Sequence, residues 1–193
     1  MKPSNFKLPM VSTFSKKKYR VSEETVTYGH KYDHLIKPLK PMSLNNMTQE
    51  KRAKYEKDMA EGRIMRPGPG NTDSLIWMSG NDLEGMELNF TWGFYKKPGI
   101  WHRGPGKADG AHVHPNDEVL VFVGTDPRDI NYLGAEISID IGEEKERYIF
   151  DKPTAVLCPA GTVHNPVITR YVDRPFAFFL ISLSGKHETT YVE

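Results

Sequence analysis

Hydrophobic positions change their rhythm along the chain. Up to about Asn71 they are scattered; from Leu75 onward short apolar runs follow one another between turn residues. Leu88, Phe90, Trp92 and Phe94 alternate with Asn89, Thr91 and Gly93, the period-two mark of a half-buried strand, with the Trp92 face expected to point inward. Ala135, Ile137, Ile139 and Ile141 alternate in the same way with Glu136, Ser138 and Asp140. Val119 to Val123 is apolar at every position, as expected of a strand covered on both faces. Leu75–Met78, Tyr148–Phe150, Thr154–Cys158, Val163–Ile168 and Phe176–Leu183 read as further strands, with turns at Lys97–Gly99, Asp126–Asp129 and Gly142–Lys145. Many short strands with no helix among them predict an all-β sandwich or jelly roll.

The first 45 residues hold Pro3, Pro9, Pro38 and Pro41, the basic cluster Lys16–Lys18 and only short apolar pieces. Such a segment buries too little to fold alone, and its aromatics (Phe6, Phe14, Tyr19, Tyr28, Tyr32) suit an arm laid over another surface. His30 and His34 read as surface residues of that arm. One helix is predicted, from Asn46 or Thr48 to Glu61, with polar caps before it, Gly62 behind it and a thin stripe of Met47, Tyr55 and Met59. Arg66-Pro-Gly-Pro-Gly-Asn71 then breaks the chain. The expected organisation is an arm and helix over 1–70, packing on the barrel or on a partner subunit, a β-barrel over 71–185 and a tail over 186–193.

Composition narrows the partners. Among 193 residues, 26 Lys and Arg nearly balance 25 Asp and Glu, so no overall field recruits nucleic acid or an anionic membrane. No apolar run approaches the roughly 18 residues needed to span a bilayer, and the first residues lack a secretory h-region. The single cysteine, Cys158, excludes an internal disulfide framework and reads as a buried strand residue. These features lead to the expectation of a cytoplasmic protein whose partner is a small molecule.

The candidate chemistry lies in Gly106-Lys-Ala-Asp-Gly-Ala-His112-Val-His114-Pro-Asn-Asp-Glu118, answered later by Pro159-Ala-Gly161-Thr-Val-His164. Side chains two apart on a strand share a face, so His112 and His114 point the same way, and a further even step can return Glu118 to them. Pro115, lacking an N–H, suits a bend between His114 and Glu118, and Asn116 and Asp117 suit a turn. His164 would bring a third imidazole from a distant strand. Three imidazoles and one carboxylate are ligands of choice for a divalent transition metal. Trp92, His102 and Arg103 are further candidates to touch substrate or the ligands. Arg103 and Lys107 could neutralise an anionic substrate, or stand as solvated loop charges.

The spacing resembles the two signature motifs of the cupin superfamily. Gly106, His112, His114, Glu118 and Gly124 fit the first, with the last gap shorter by one residue; Pro159, Gly161 and His164 fit the second, where Pro153 replaces a Gly and Ile168 an Asn. The resemblance implies an all-β cupin jelly roll with an N-terminal extension, a metal held by His112, His114, Glu118 and His164, and a homodimer. Fe2+ or Mn2+ is the first choice of ion, with Ni2+, Cu2+ and Zn2+ as alternatives. A metal with this ligand set keeps two positions for a chelating, oxygen-rich substrate. Dioxygenase-type oxidation is the leading expectation; the alternatives are Lewis-acid chemistry (isomerase, decarboxylase, hydrolase or lyase) and a non-catalytic binding module.

Overall fold

The structure, a computed structural model, describes residues 31–39, 75–101 and 110–192, with the helical positions Gln49, Glu50, Ala53 and Lys57. The remainder of the expected helix, the break at 66–71 and most of the arm, His30 included, lie outside the described residues. The chain divides into two units, 1–37 and 38–193. Among the described residues of the first, a 3-10 turn spans Asp33–Leu35, and His34 is exposed, as expected. None of the described helical segments is long and apolar enough to cross a membrane.

In the second unit the described residues form eleven strands: β1 (Leu75–Met78), β2 (Asn89–Tyr95), β3 (Gly99–Ile100), β4 (His112–Val113), β5 (Glu118–Gly124), β6 (Ala135–Ile141), β7 (Glu146–Phe150), β8 (Thr154–Cys158), β9 (His164–Val172), β10 (Phe176–Ser182) and β11 (Thr190–Tyr191). One sheet has the order β1-β2-β10-β5-β8; the other has β11-β4-β9-β6-β7, with β3 also paired to β9. All pairings are antiparallel. The chain passes repeatedly from one sheet to the other, which is the two-sheet jelly roll that the cupin resemblance implies.

The core lies between the sheets. Tyr95, Leu120, Phe122, Phe176 and Phe178 from the first sheet meet Ile137, Ile139 and Val167 from the second, with Trp101 wedged among them. Trp101 stacks on Tyr95 at 3.9 Å between centroids, meets Phe178 edge-on at 4.6 Å, and donates its indole N–H to Thr169 Oγ1 at 2.6 Å. A fully buried aromatic that also satisfies its one polar atom keeps the whole hydrophobic gain, about 1.5–3 kcal/mol per large side chain. Burial of the Tyr95 phenol raises its pKa above the ordinary tyrosine value.

Two expectations about faces are corrected. On β2 the buried set is Asn89, Thr91, Gly93 and Tyr95, while Phe90 and Trp92 are half-buried and Phe94 is exposed. Trp92 therefore sits on the outer face, stacked on Phe179 and edge-on to Phe94. The reason is the pairing: Tyr95 and Gly93 lie opposite Phe176 and Phe178, whose rings fill the barrel, so the register that buries those rings turns Trp92 outward. Likewise β5 buries Leu120 and Phe122 but leaves Val119, Val121 and Val123 half-buried on the same outer face. On β6, Ala135, Ile137 and Ile139 are buried as expected, but Ser138 is buried too and Ile141 is only half-buried. Asp140 is buried as well, because Arg147 across the hairpin grips both its carboxylate oxygens at 2.7 and 2.8 Å.

The turn after β5 explains the glycine that ends the first motif. Asp126 accepts from Arg128, pairs with Arg174 and accepts its own turn's N–H, and these contacts, the Arg128 hydrogen bond first, hold its carboxyl well below the usual carboxylate range. The chain then folds back so tightly that a Cβ on Gly124 would lie 1.8 Å from the Tyr132 carbonyl oxygen. Gly124→Ala should therefore lower unfolding stability by about 1–3 kcal/mol or more, since backbone must move to admit the methyl; an unchanged urea midpoint would contradict this. Cys158 is buried, and desolvation, with the Glu118 charge second, pushes its thiol up to about 12. Native protein at pH 8 should resist iodoacetamide at Cys158 while urea-unfolded protein is alkylated, as intact mass would show.

Candidate metal centre

The motif residues converge because the chain changes sheets between them. His112 lies on β4 and faces His164, which opens β9 in the same sheet; Glu118 opens β5 in the other sheet, against Cys158 and Ser182. His114 and the bend at Pro115 and Asn116 join the two. The second motif supplies a matching turn: Thr162 N–H closes on Pro159 O at 2.9 Å, with Gly161 at φ +80°, a conformation that favours glycine. That turn is stitched to the first motif, since Gly161 N–H donates to His114 O and Ala160 N–H to the Asp117 carboxylate, both at 2.9 Å. Asp117 thus braces the turn of the second motif.

Each imidazole is oriented by a backbone carbonyl. Nδ1–H of His112 donates to Gly110 O at 2.7 Å, that of His114 to Glu188 O at 2.7 Å, and that of His164 to Thr162 O at 2.9 Å. A carbonyl can only accept, so Nδ1 must carry the proton and Nε2 keeps its lone pair. The Nε2 atoms of His114 and His164 converge on one Glu118 oxygen, and the His112 ring packs against both of their rings. The ring centroids lie 4.7 Å (His112 to His114), 4.5 Å (His112 to His164) and 5.2 Å (His114 to His164) apart. Glu118 Oε2 is 3.6 Å from His114 Nε2 and 3.4 Å from His164 Nε2.

All four side chains are buried, Glu118 and His164 almost completely. His114 Nε2, His164 Nε2 and Glu118 Oε1 nevertheless have no hydrogen-bond partner. Leaving one such buried polar atom unmet costs roughly 1–3 kcal/mol, and more when it is charged. Three in one place, with the right atoms facing inward, fit a bound cation. One ligand atom from each of His112, His114 and His164 lies within 4.8 Å of the others, close to the span of donors about 2.0–2.2 Å from one ion.

The structure thus brings together His112, His114, Glu118 and His164 and leaves Trp92 on the outer face, away from the barrel interior. His102, Arg103, Gly106 and Lys107 lie outside the described residues. Two neighbours escaped the sequence reading. Asn165, at φ +80°, holds its amide nitrogen 3.3 and 3.4 Å from the two nitrogens of the His112 ring. Its place beside His164 was the one available signal. His187 comes from the stretch read as a tail; its ring lies 4.6 Å from that of His114, and Nδ1 is 3.9 Å from Glu118 Oε1. Burial, then the neighbouring His114, lowers the His187 pKa, outweighing the opposite pull of Glu118, so the ring is neutral at neutral pH. Trp77 packs edge-on against it at 5.3 Å, and Tyr191 lies 5.7 Å from the His112 ring.

No family model matches the chain, and no curated protein matches it in sequence. Among solved structures it is similar to the formate complex of Lactobacillus farciminis oxalate decarboxylase (11% identity, TM-score 0.45, covering 79% of this chain and 33% of that one). It is also similar to recombinant oxalate oxidase in complex with glycolate (10%, 0.44, 66% and 58%) and to Bacillus subtilis oxalate decarboxylase studied for its Mn(II) centres (16%, 0.40, 64% and 27%). The chain spans about a third of the length of the first of these. At such identities the likeness is one of fold.

Proposed function

We propose that this chain is a metal-dependent enzyme acting on a small, oxygen-rich organic molecule that chelates the ion, with dioxygenase-type oxidation as the reaction. The observation that carries the reading is the convergence of inward-facing Nε2 atoms and the buried Glu118 carboxylate, each imidazole locked in its tautomer by a carbonyl. When bound, iron(II) or manganese(II) would supply Lewis-acid polarisation of a substrate hydroxyl and one-electron chemistry toward dioxygen.

The chain's own residues do the rest. His112, His114 and His164 offer neutral nitrogens, and Glu118 removes one unit of the ion's charge, so the site retains net attraction for an anionic oxygen of the substrate. Trp101, Phe122 and their neighbours fill the barrel between the two sheets. His187, Trp77 and Tyr191 are the partly exposed groups around the cluster, and they mark the side from which a small molecule can arrive.

His112→Ala and His164→Ala should each weaken binding of Mn2+ or Fe2+ by at least the roughly 10-fold that losing even a supporting group costs, read by elemental analysis after dialysis. Full metal retention in both variants would refute the site. An oxygen-electrode screen of the Fe2+ and Mn2+ forms on catechols and hydroxy-acids should show stoichiometric oxygen uptake with at least one. Turnover that persists without oxygen and in the Zn2+ form would replace oxidation with Lewis-acid chemistry.

A further inference from the structure

We infer that His187 is a fifth protein ligand to the same ion, through Nδ1, delivered by the C-terminal segment; this rests on the metal reading above. The ligand atoms of His114, Glu118 and His187 form a second set within 4.8 Å of one another, and this set shares His114 with the set of three histidines. His187 Nδ1 is buried and has no hydrogen-bond partner, and the same is true of Glu118 Oε1, the atom it faces at 3.9 Å.

The two sets share His114 and so cannot serve two ions at once. An imidazole bridges nothing through a single nitrogen, and His114 has only Nε2 to give, because Nδ1–H is committed to Glu188 O. The two sets therefore cannot each hold an ion at the same time, and one ion that uses all five residues must draw the two sets together. Glu118 connects the sets as well, with Oε2 toward His114 and His164 and Oε1 toward His187.

The position of His187 is held from both sides. Before it, Leu183 N–H donates to Asp117 O at 3.0 Å, Asn89 donates to Ser184 O at 2.8 Å, and Gly80 N–H donates to Gly185 O at 3.0 Å. Beyond it, Glu188 O accepts the His114 Nδ1–H, β11 pairs with β4, and Val192 N–H donates to Ala111 O at 3.0 Å. The short span between these anchors, with Trp77 against the ring, leaves the imidazole at the ligand cluster. A consequence for the chemistry follows. With five protein ligands, a six-coordinate ion would keep one open position, so a two-oxygen chelate would require one protein ligand to leave.

The test uses the full chain loaded with Co2+ or Cu2+ alone, and the variants His187→Ala and His187→Phe, the second keeping a ring against Trp77. In both variants the Co2+ visible spectrum should change, the Cu2+ electron paramagnetic resonance should lose the hyperfine contribution of one nitrogen, and affinity should fall about tenfold. Thermal unfolding of the metal-free proteins should stay close to wild type for His187→Phe. Identical spectra and affinity in both variants overturn the fifth ligand while leaving the site of His112, His114, Glu118 and His164 intact. Wild-type protein that binds neither ion overturns both.

Discussion

Three backbone carbonyls decide which nitrogen each imidazole presents, and the rest of the centre follows from them. Gly110, Thr162 and Glu188 lie in three separate stretches of chain, yet each accepts an Nδ1–H from a different histidine. Had any of these been a donor, the neighbouring ring would present an N–H toward its fellows and the cluster would repel a cation. Backbone geometry thus sets the protonation pattern, and the geometry depends on turns: a left-handed Gly110 before β4, Gly161 before β9 and the paired terminal strand β11.

The same arrangement carries an energetic cost that the fold must offset. A carboxylate and three imidazoles withdrawn from water, with several inward atoms unmet, cost several kilocalories per mole. The aromatic core beneath them supplies the opposing gain, with Trp101, Phe122 and Phe176 buried at the centre of the barrel. A divalent ion would reverse the sign of the local account, because it meets the lone pairs and the charge together. Rigid second partners on every imidazole also mean that little side-chain freedom remains to be lost when an ion arrives.

What was legible in the chain was whatever local periodicity controls. The His112, His114 and Glu118 spacing is a property of extended backbone around a proline bend, and the Pro159–His164 turn is a property of glycine and proline, so both survive translation into three dimensions. The all-β class was legible for the same reason. Face assignment on β2 was not, since aromatic residues occupy both sides of that strand and only pairing with Phe176 and Phe178 on β10 chooses between them. Val119, Val121 and Val123 misled in a related way: an apolar outer face looks, in sequence, like a second buried one. His187 was illegible because main-chain hydrogen bonds from Leu183 to Val192 place it, and such bonds leave no mark on residue identity.

That last segment links folding of the chain's end to the state of the centre. Glu188 fixes the His114 tautomer, Tyr191 pairs with His112 across β11 and β4, and His187 faces Glu118. Each of these contacts is made by the final stretch to a residue of the first motif, and none is made within the motif itself. Without that pairing, His114 would lose the carbonyl that fixes its tautomer and Glu118 the imidazole it faces. Pairing of a two-residue strand is weak alone, and here it is reinforced by the very groups it positions. The centre and the segment that covers it stabilise one another, so opening one side exposes the other.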